Sequence, residues 1–484
     1  MLSATVPTTE DGGVPLSRSN AERIEDGRRA RVASPRSWHS EWIPGADRID
    51  VVATLETQAE NRVRSLIPIR YGRMLRSPLA FYRGSAAIMA RDLAGMLNSG
   101  VITQLCGDAH LANFGLFRSP ERALIFDIND FDETARGPFE WDVKRLAASF
   151  EIVGRYRGFS DADRRATVRA AVSAYRSTIR RAARGRALDS WYERLDERDL
   201  RALLEVESEA KRLHDRQLRG AEKTFASAQT RDSARAFSKL VRNIDGRLRF
   251  IAEPPLLVPV EDLPRDEGGV GEGGFADDRE VIPELLRAYQ TTLPSDPHPL
   301  REFTYLHLAR KVVGVGSVGT RAWVILLQGT SSADPLLLQA KEAQQSVLEP
   351  EPLGPHLNQG ERVVRGQRLM QAASDIFLGW QRVVLEDGST RDYYLRQLSD
   401  GKAAVDTEQA RPRGALLYAR LCGETLARAH ARAGDRLAIS AYLGSSDVFD
   451  EAISDFAERY ADQNDTDYAA LESAAASGRI AAAI

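Results

Sequence analysis

The stretch QLCGDAHLANFGLF, residues 104–117, sets an Asp, a His and an Asn between an apolar run and a glycine. A loop that follows a strand can turn Asp108 and Asn113 toward one point. A carboxylate there can take a proton from a hydroxyl, and an amide oxygen can ligate Mg²⁺. The next segment, IFDINDFDET, supplies Asp127, Asp130 and Asp132, hard oxygen donors of the kind Mg²⁺ prefers. Carboxylates this crowded repel one another unless a cation shares the site. Asp and Asn also serve as caps and turn residues. Two such clusters, each following a strand-like run, point instead to a site for metal and phosphate. His110 is expected to hydrogen-bond backbone and fix the turn rather than to take part directly.

Phosphate chemistry needs a close-approaching loop and a cation. GVGSVG supplies Gly314, Gly316, Ser317 and Gly319. A dinucleotide fold would start a helix directly after such glycines. Here TRAWVILL follows, rich in β-formers, so the pattern predicts strand, glycine turn, strand. The next apolar strand, PLLLQAKEA, ends at Lys341, one of only seven lysines in the chain. Its ammonium can pair with nucleotide phosphates, although a lysine at a strand end can also be a solvated residue. Glu361 in the following helical segment is a candidate ion-pair partner for it, with Glu342 and Glu349 as alternatives.

GDAHLANFG resembles the catalytic loop of the aminoglycoside phosphotransferase branch of the protein-kinase-like superfamily, matching at Gly107, Asp108, His110 and Asn113. NDFDETARGPFEWDVKRLA resembles the metal-binding segment that follows it, matching at Asp130, Phe131, Asp132, Gly137, Pro138 and Asp142. The resemblance implies that Asp108 is the catalytic base, that Asn113 and Asp130 hold Mg²⁺, that Asp142 braces the loop, and that ATP is the cofactor. Spacing forward from Asn113 favours Asp127 as the metal carboxylate, whereas spacing back from Asp142 favours Asp130. Cys106 stands where the family usually has His, a departure that touches the loop's backbone support. DYYLRQLSD would lead into a hinge whose backbone binds adenine. The order is reversed relative to the family, in which the glycine loop and lysine come first. The fold implied is therefore an α+β, two-lobed kinase-like fold in circularly permuted order, which closely placed termini make tolerable. It requires Lys341 and Asp130, 211 positions apart (341 − 130), to face one another across one cleft. From about residue 60 the chain, including RYGRMLRSPLAFYRG, QAASDIFLGW and LARAHARAGD, also resembles an uncharacterised bacterial family catalogued as domain of unknown function 2252.

Several elements must position these residues. Residues 1–45, rich in Ser, Thr, Gly, Pro and Arg without periodicity, are expected to form a disordered tail. A large lobe spans 46–299, with a charged helical insert at about 186–250 and an acidic glycine-rich linker at about 262–280. The insert is the candidate wall for an acceptor, although its mixed charges also suit a solvated helical face. Ser160 with Asp163 predicts a helix start, and Val168, Val172, Tyr175 and Ile179 fall on one face of that helix. Residues 300–400 are expected to form a small β lobe, with Asp387-Gly388 at a hairpin turn. Residues 401–484 are expected to return as helices to the large lobe.

Composition narrows the function classes. The chain has 484 residues, 43% hydrophobic and 28% charged, with a net charge of −3. That balance offers no basic field for nucleic acid, and no apolar run reaches the roughly 18 residues a membrane span requires. Two cysteines and no apolar leader suit a cytoplasmic location. The sequence thus suggests an ATP- and Mg²⁺-dependent phosphotransferase acting on a small hydroxylated molecule. Nucleotidyl transfer on the same site, a non-catalytic nucleotide-binding pseudokinase and a metal-dependent hydrolase are the alternatives. Nothing in the sequence indicates an oligomeric state.

Overall fold

The computed structural model describes residues 18–45, 48–210, 215–230, 233–264, 267, 278–349, 358–385, 387–398, 401–404 and 411–483. Most of the expected acidic glycine-rich linker lies outside them. The architecture is α+β: a helical body and a six-stranded antiparallel sheet.

The sheet runs in the order Gly379–Val384, Thr390–Gln397, Pro335–Ala343, Ala322–Gln328, Thr304–Lys311 and Leu257–Pro259. Its strands alternate in the way two-sided burial demands. Trp323, Ile325 and Leu327 enter one core with Tyr289 and Ile282 of helix Asp278–Gln290. Val324 and Leu326 enter another with Val241 and Phe250. This packing corrects the expected boundary at 300. Strand Leu257–Pro259 pairs with Thr304–Lys311, and residues from about 241 to 290 supply both covers of the sheet. Helix Gln359–Met370 follows the third strand in sequence, and Gly388 (φ +78°) turns the last hairpin.

The helical body centres on Glu140–Tyr156, which is buried along most of its length. The C-terminal helices Pro412–Ala433 and Val448–Ala476 pack on it and on Asp161–Arg184. Val168, Val172, Tyr175 and Ile179 face that core, and the Ser160 hydroxyl accepts from the Asp163 N–H at 3.2 Å to start the helix.

The N-terminal expectation needs correction. Residues 18–45 include helix Asn20–Ala33, started by a reciprocal Ser19–Glu22 capping box. This helix has almost no apolar stripe. It docks through backbone proximity instead: a Cβ on Gly27 would lie 2.1 Å from the Ala438 carbonyl oxygen. Arg23 pairs with Asp435 at 2.8 Å, and His39 Nε2 lies 2.6 Å from the Tyr442 hydroxyl.

Candidate active site

Strand Ile102–Leu105 pairs with Ala135–Pro138 and delivers the chain into the Asp108 loop. The loop turns at Gly107, whose φ of +87° and 2.0 Å approach of a virtual Cβ to the Glu133 carbonyl oxygen admit only glycine. The Cys106 and Gly107 N–H groups donate to the two carboxylate oxygens of Asp142, at 2.8 and 3.1 Å. Asp142 stands in the first turn of Glu140–Tyr156, where an anion is favoured by the helix dipole. His430 Nε2 reaches Asp142 at 3.2 Å, and His430 Nδ1 meets the Tyr175 hydroxyl at 2.8 Å. Asp142 therefore sits where the loop needs bracing. Cys106 is a fully buried thiol whose pKa burial pushes well up.

Asp108 is 19% exposed at its side chain. Its Oδ1 accepts from Arg145 Nε at 2.9 Å and lies 2.8 Å from Arg145 Nη2. Arg145 is itself locked: Nη2 donates to the Tyr82 carbonyl at 2.7 Å, and the guanidinium stacks 3.8 Å from the Tyr82 ring centroid. Burial raises the Asp108 pKa, and Arg145 and Arg83 offset only part of that rise. His110 Nδ1 accepts from the Ala112 N–H at 3.2 Å, so its ring proton belongs on Nε2, 3.6 Å from Asp108 Oδ2. Burial, with Arg83 and Arg145 nearby, holds the His110 pKa well below its ordinary value. The ring is neutral and supports the turn.

Asn113 donates from Nδ2 to the Asp108 carbonyl at 2.7 Å. Its backbone carbonyl accepts from the Asn129 N–H at 2.8 Å, continuing the pairing of Phe114–Arg118 with Leu124–Ile128. This pairing sets Asn113 beside the start of the second acidic loop. Asp130, 34% exposed, and Asp132 both line the same cleft as Asp108 and Asn113, a cleft of about 660 Å³. Asp127 does not line it. Asp127 is buried, accepts from the Ile128 and Ala372 N–H groups at 2.9 Å each, and lies 3.7 Å from Arg432. Of the two expected metal carboxylates, only Asp130 faces the cleft.

Lys341, 3% exposed, reaches this loop from the sheet. Its Nζ is 3.8 Å from Asp130 Oδ1 and 2.5 Å from Asp132 Oδ2. The Tyr394 hydroxyl donates to Asp132 Oδ1 at 2.6 Å and the Ser317 hydroxyl to Asp132 Oδ2 at 3.2 Å. Burial opposes the charge on Lys341, but Asp130 and Asp132 outweigh it and raise the pKa. Burial likewise pushes Asp132 up, yet Lys341 and Tyr394 hold it below the ordinary carboxylate value. Glu361 is not the partner. It pairs with Arg365 one turn along its own helix, the cheaper contact for a side chain near the surface. Glu342 serves Arg321 and Arg391. Arg362 connects helix Gln359–Met370 to the acidic loop by donating to the Asp132 and Thr134 carbonyls, at 2.9 and 2.5 Å.

Gly314 to Gly319 form the turn between the antiparallel strands Thr304–Lys311 and Ala322–Gln328. Gly314, Gly316 and Ser317 line the cleft. Gly319 instead abuts the body: its carbonyl accepts from the Val63 N–H at 2.8 Å. Arg62 Nη1 donates to the Gly316 carbonyl at 2.8 Å and to the Val318 carbonyl at 2.5 Å. The opposite wall comes from residues 54–62 and 83–91, and no described residue of 186–250, the helical insert expected to wall the cleft, lines it.

Among the described residues no group of three or more His, Cys, Asp or Glu side chains is disposed to hold a metal ion. The cleft nevertheless suits Mg²⁺, which takes one or two protein oxygens and completes its octahedron with water and phosphate. With Asn113 Nδ2 engaged by Asp108, its amide oxygen and the Asp130 carboxylate are the donors available.

The family model described as an uncharacterized protein conserved in bacteria (DUF2252) matches residues 62–474, and the chain belongs to that family. No curated protein and no solved structure matches the chain.

Proposed function

We propose that this member of a family without an assigned activity is an ATP- and Mg²⁺-dependent phosphotransferase acting on a hydroxyl of a small molecule, on a kinase-like fold in permuted order. One observation carries the reading: Lys341, from a strand late in the chain, lies 3.8 Å from Asp130. Asp130 lines a cleft that also holds Asp108, Asn113 and a glycine turn, and Lys341 is buried directly behind it. Sequence separation of 211 positions gives no reason for that meeting, whereas a shared triphosphate does.

In this reading Asp108 holds the acceptor hydroxyl. Arg145 engages its Oδ1 and leaves Oδ2 to take the proton, and burial raises the proton affinity of that carboxylate in the useful direction. Lys341 neutralises phosphate charge, and Gly314 and Gly316 let the backbone approach the phosphates without a side chain in the way. Asn113 and Asp130 would hold Mg²⁺, which when bound supplies charge neutralisation between the β and γ phosphates. Asp132, Tyr394 and Arg362 keep the lysine and the acidic loop in register.

The test is transfer from ATP labelled at either the α or the γ phosphate to a pool of small metabolites, with Asp108→Asn as control. Label from the γ position, lost in the variant, is expected. Transfer of the α label would replace this reading with nucleotidyl transfer, and ATP binding without either transfer would leave a pseudokinase.

A further inference from the structure

Several arginines border the cleft, and they divide into two kinds. Arg145 is paired with Asp108, Arg321 and Arg391 with Glu342, and Arg62 donates to the Gly316 and Val318 carbonyls. Arg83 and Arg91 are different. Among the described residues neither has a carboxylate within ion-pair distance. Arg83 Nε is buried without a hydrogen-bond partner, and Arg91 makes one side-chain bond, from Nη1 to the Thr54 hydroxyl at 3.0 Å.

Their location is specific. Arg83 ends helix Pro78–Gly84 and Arg91 lies in the next helix, Ala86–Ala94. Both line the cleft on the body side, away from the sheet that carries Lys341. Arg83 is close enough to Asp108 and His110 to bear on the charge of both, and its backbone carbonyl lies under Gly316. Thr54, Thr57 and Gln58 add neutral polar groups to the same wall, and Glu60 adds one exposed carboxylate. A buried N–H without a partner, such as Arg83 Nε, is costly, and the planar fork of a guanidinium matches a carboxylate or a phosphate.

We infer that Arg83 and Arg91 bind an anionic group carried by the hydroxyl acceptor, so that the substrates of this cleft are hydroxylated carboxylates or phosphates. This rests on the phosphotransferase reading. The nucleotide's phosphates already have Lys341 and the glycine turn on the sheet side, while Arg83 lies near Asp108, the base that must receive the hydroxyl, and Arg91 lines the same wall.

The experiment uses the full chain in two titrations followed by calorimetry. The first measures a non-hydrolysable ATP analogue with Mg²⁺. The second, on the analogue-saturated protein, measures glycerol 3-phosphate, glycerate, glycerol and ethanolamine. The two anions are expected to bind and the neutral and cationic compounds not to. Arg83→Gln and Arg91→Gln are each expected to weaken the anions about tenfold, as loss of a charge-assisted bond does, with analogue affinity held within about threefold. Arg91 is exposed, so its variant serves even if Arg83→Gln does not fold. Failure of the anions to bind, equal binding of glycerol or ethanolamine, or unchanged anion affinity in the variants overturns the inference while the nucleotide reading stands. A matching loss of analogue affinity assigns the arginines to the nucleotide's phosphates and also overturns it. Absence of analogue binding to the wild-type protein sinks both readings together.

Discussion

Replacing Lys341 by Met tests the connection between the sheet and the acidic loop, and the structure sets its size. The lysine is 3% exposed and sits 2.5 Å from Asp132, with Asp130 at 3.8 Å. Removing one member of a fully buried pair costs roughly 3–5 kcal/mol; Asp132 is 27% exposed, so the loss should fall at or below the lower end of that range. Among the described residues Asp132 would keep only the Tyr394 and Ser317 hydroxyls as side-chain partners, and Asp130 can rehydrate because it is one-third exposed. The Asp132→Asn change should cost less, because Lys341 retains Asp130. The double variant Lys341→Met/Asp132→Asn should lie well short of the sum of the singles, with a coupling of about 2 kcal/mol or more, as expected for contacting charges. Urea unfolding followed by tryptophan fluorescence reads all four proteins. Because Lys341→Met alone leaves Asp132 to pick up a proton, its deficit should shrink as pH falls toward the ordinary carboxylate pKa. Single-variant losses that add within about 0.5 kcal/mol would refute the pair. The double variant also separates folding from function. If it folds and still binds Mg²⁺ and ATP at wild-type affinity, Lys341 is a structural cation and not a phosphate ligand.

Other consequences follow from neighbouring residues. Mg²⁺ with ATP should raise the stability of the protein by about 2.7 kcal/mol at a hundredfold excess over the dissociation constant, and a melting scan without dependence on either component would remove the nucleotide site. Asp108→Asn should abolish transfer while leaving ATP affinity nearly unchanged, because the carboxylate serves the acceptor; near wild-type turnover would disqualify it as the base. Gly107→Ala should destabilise the protein by more than about 1 kcal/mol, since φ is +87° and the added Cβ meets the Glu133 carbonyl at 2.0 Å; an unchanged denaturation midpoint would contradict that geometry. Burial pushes Glu133 up to about 7 from 4.5, so the native state holds a proton that the unfolded chain has lost. Stability should therefore fall as pH rises between those values, by at most about 3 kcal/mol before screening. Glu133→Gln should flatten that slope in urea titrations across pH, and an unaltered slope would assign it to other groups.

The acidic loops were legible in the sequence because their chemistry is local. Asp108 and Asn113 lie within one turn, and Gly107, Asp142 and the intervening strand pair act over a few tens of residues, so spacing alone constrains them. The glycine turn was legible for a similar reason: β-formers on both sides exclude a helix start. What spacing could not supply was which distant residue completes each charge. Tyr394 faces Lys341 as its direct cross-strand partner, and no sequence signal fixes that register across 53 positions (394 − 341). His430 reaches Asp142, and Arg362 reaches the carbonyls of the acidic loop, only after the helices dock. Glu361, in the helix that follows Lys341, is a plausible partner by sequence, but helix geometry gives it Arg365 four positions on.

The cleft's second wall was hidden for a different physical reason. A charged helical insert draws attention because its composition contrasts with its surroundings, yet mixed charges are what a solvated face also needs. The residues that close the cleft, around 54–62 and 83–91, look like ordinary body helices because their apolar positions face the core: Val52, Leu55, Phe81 and Ile88 pack together there. Only their polar edges face the cleft. The N-terminal helix Asn20–Ala33 shows the same effect more strongly, since it docks through a glycine and peripheral ion pairs instead of an apolar stripe. In both cases the burial pattern reports which face meets the core, while the chemistry sits on the face that periodicity marks as solvent. Arg83 is the clearest instance. At the end of helix Pro78–Gly84 it reads as a basic residue suited to a helix C-terminus. The structure instead sets it near Asp108 with, among the described residues, no carboxylate at ion-pair distance.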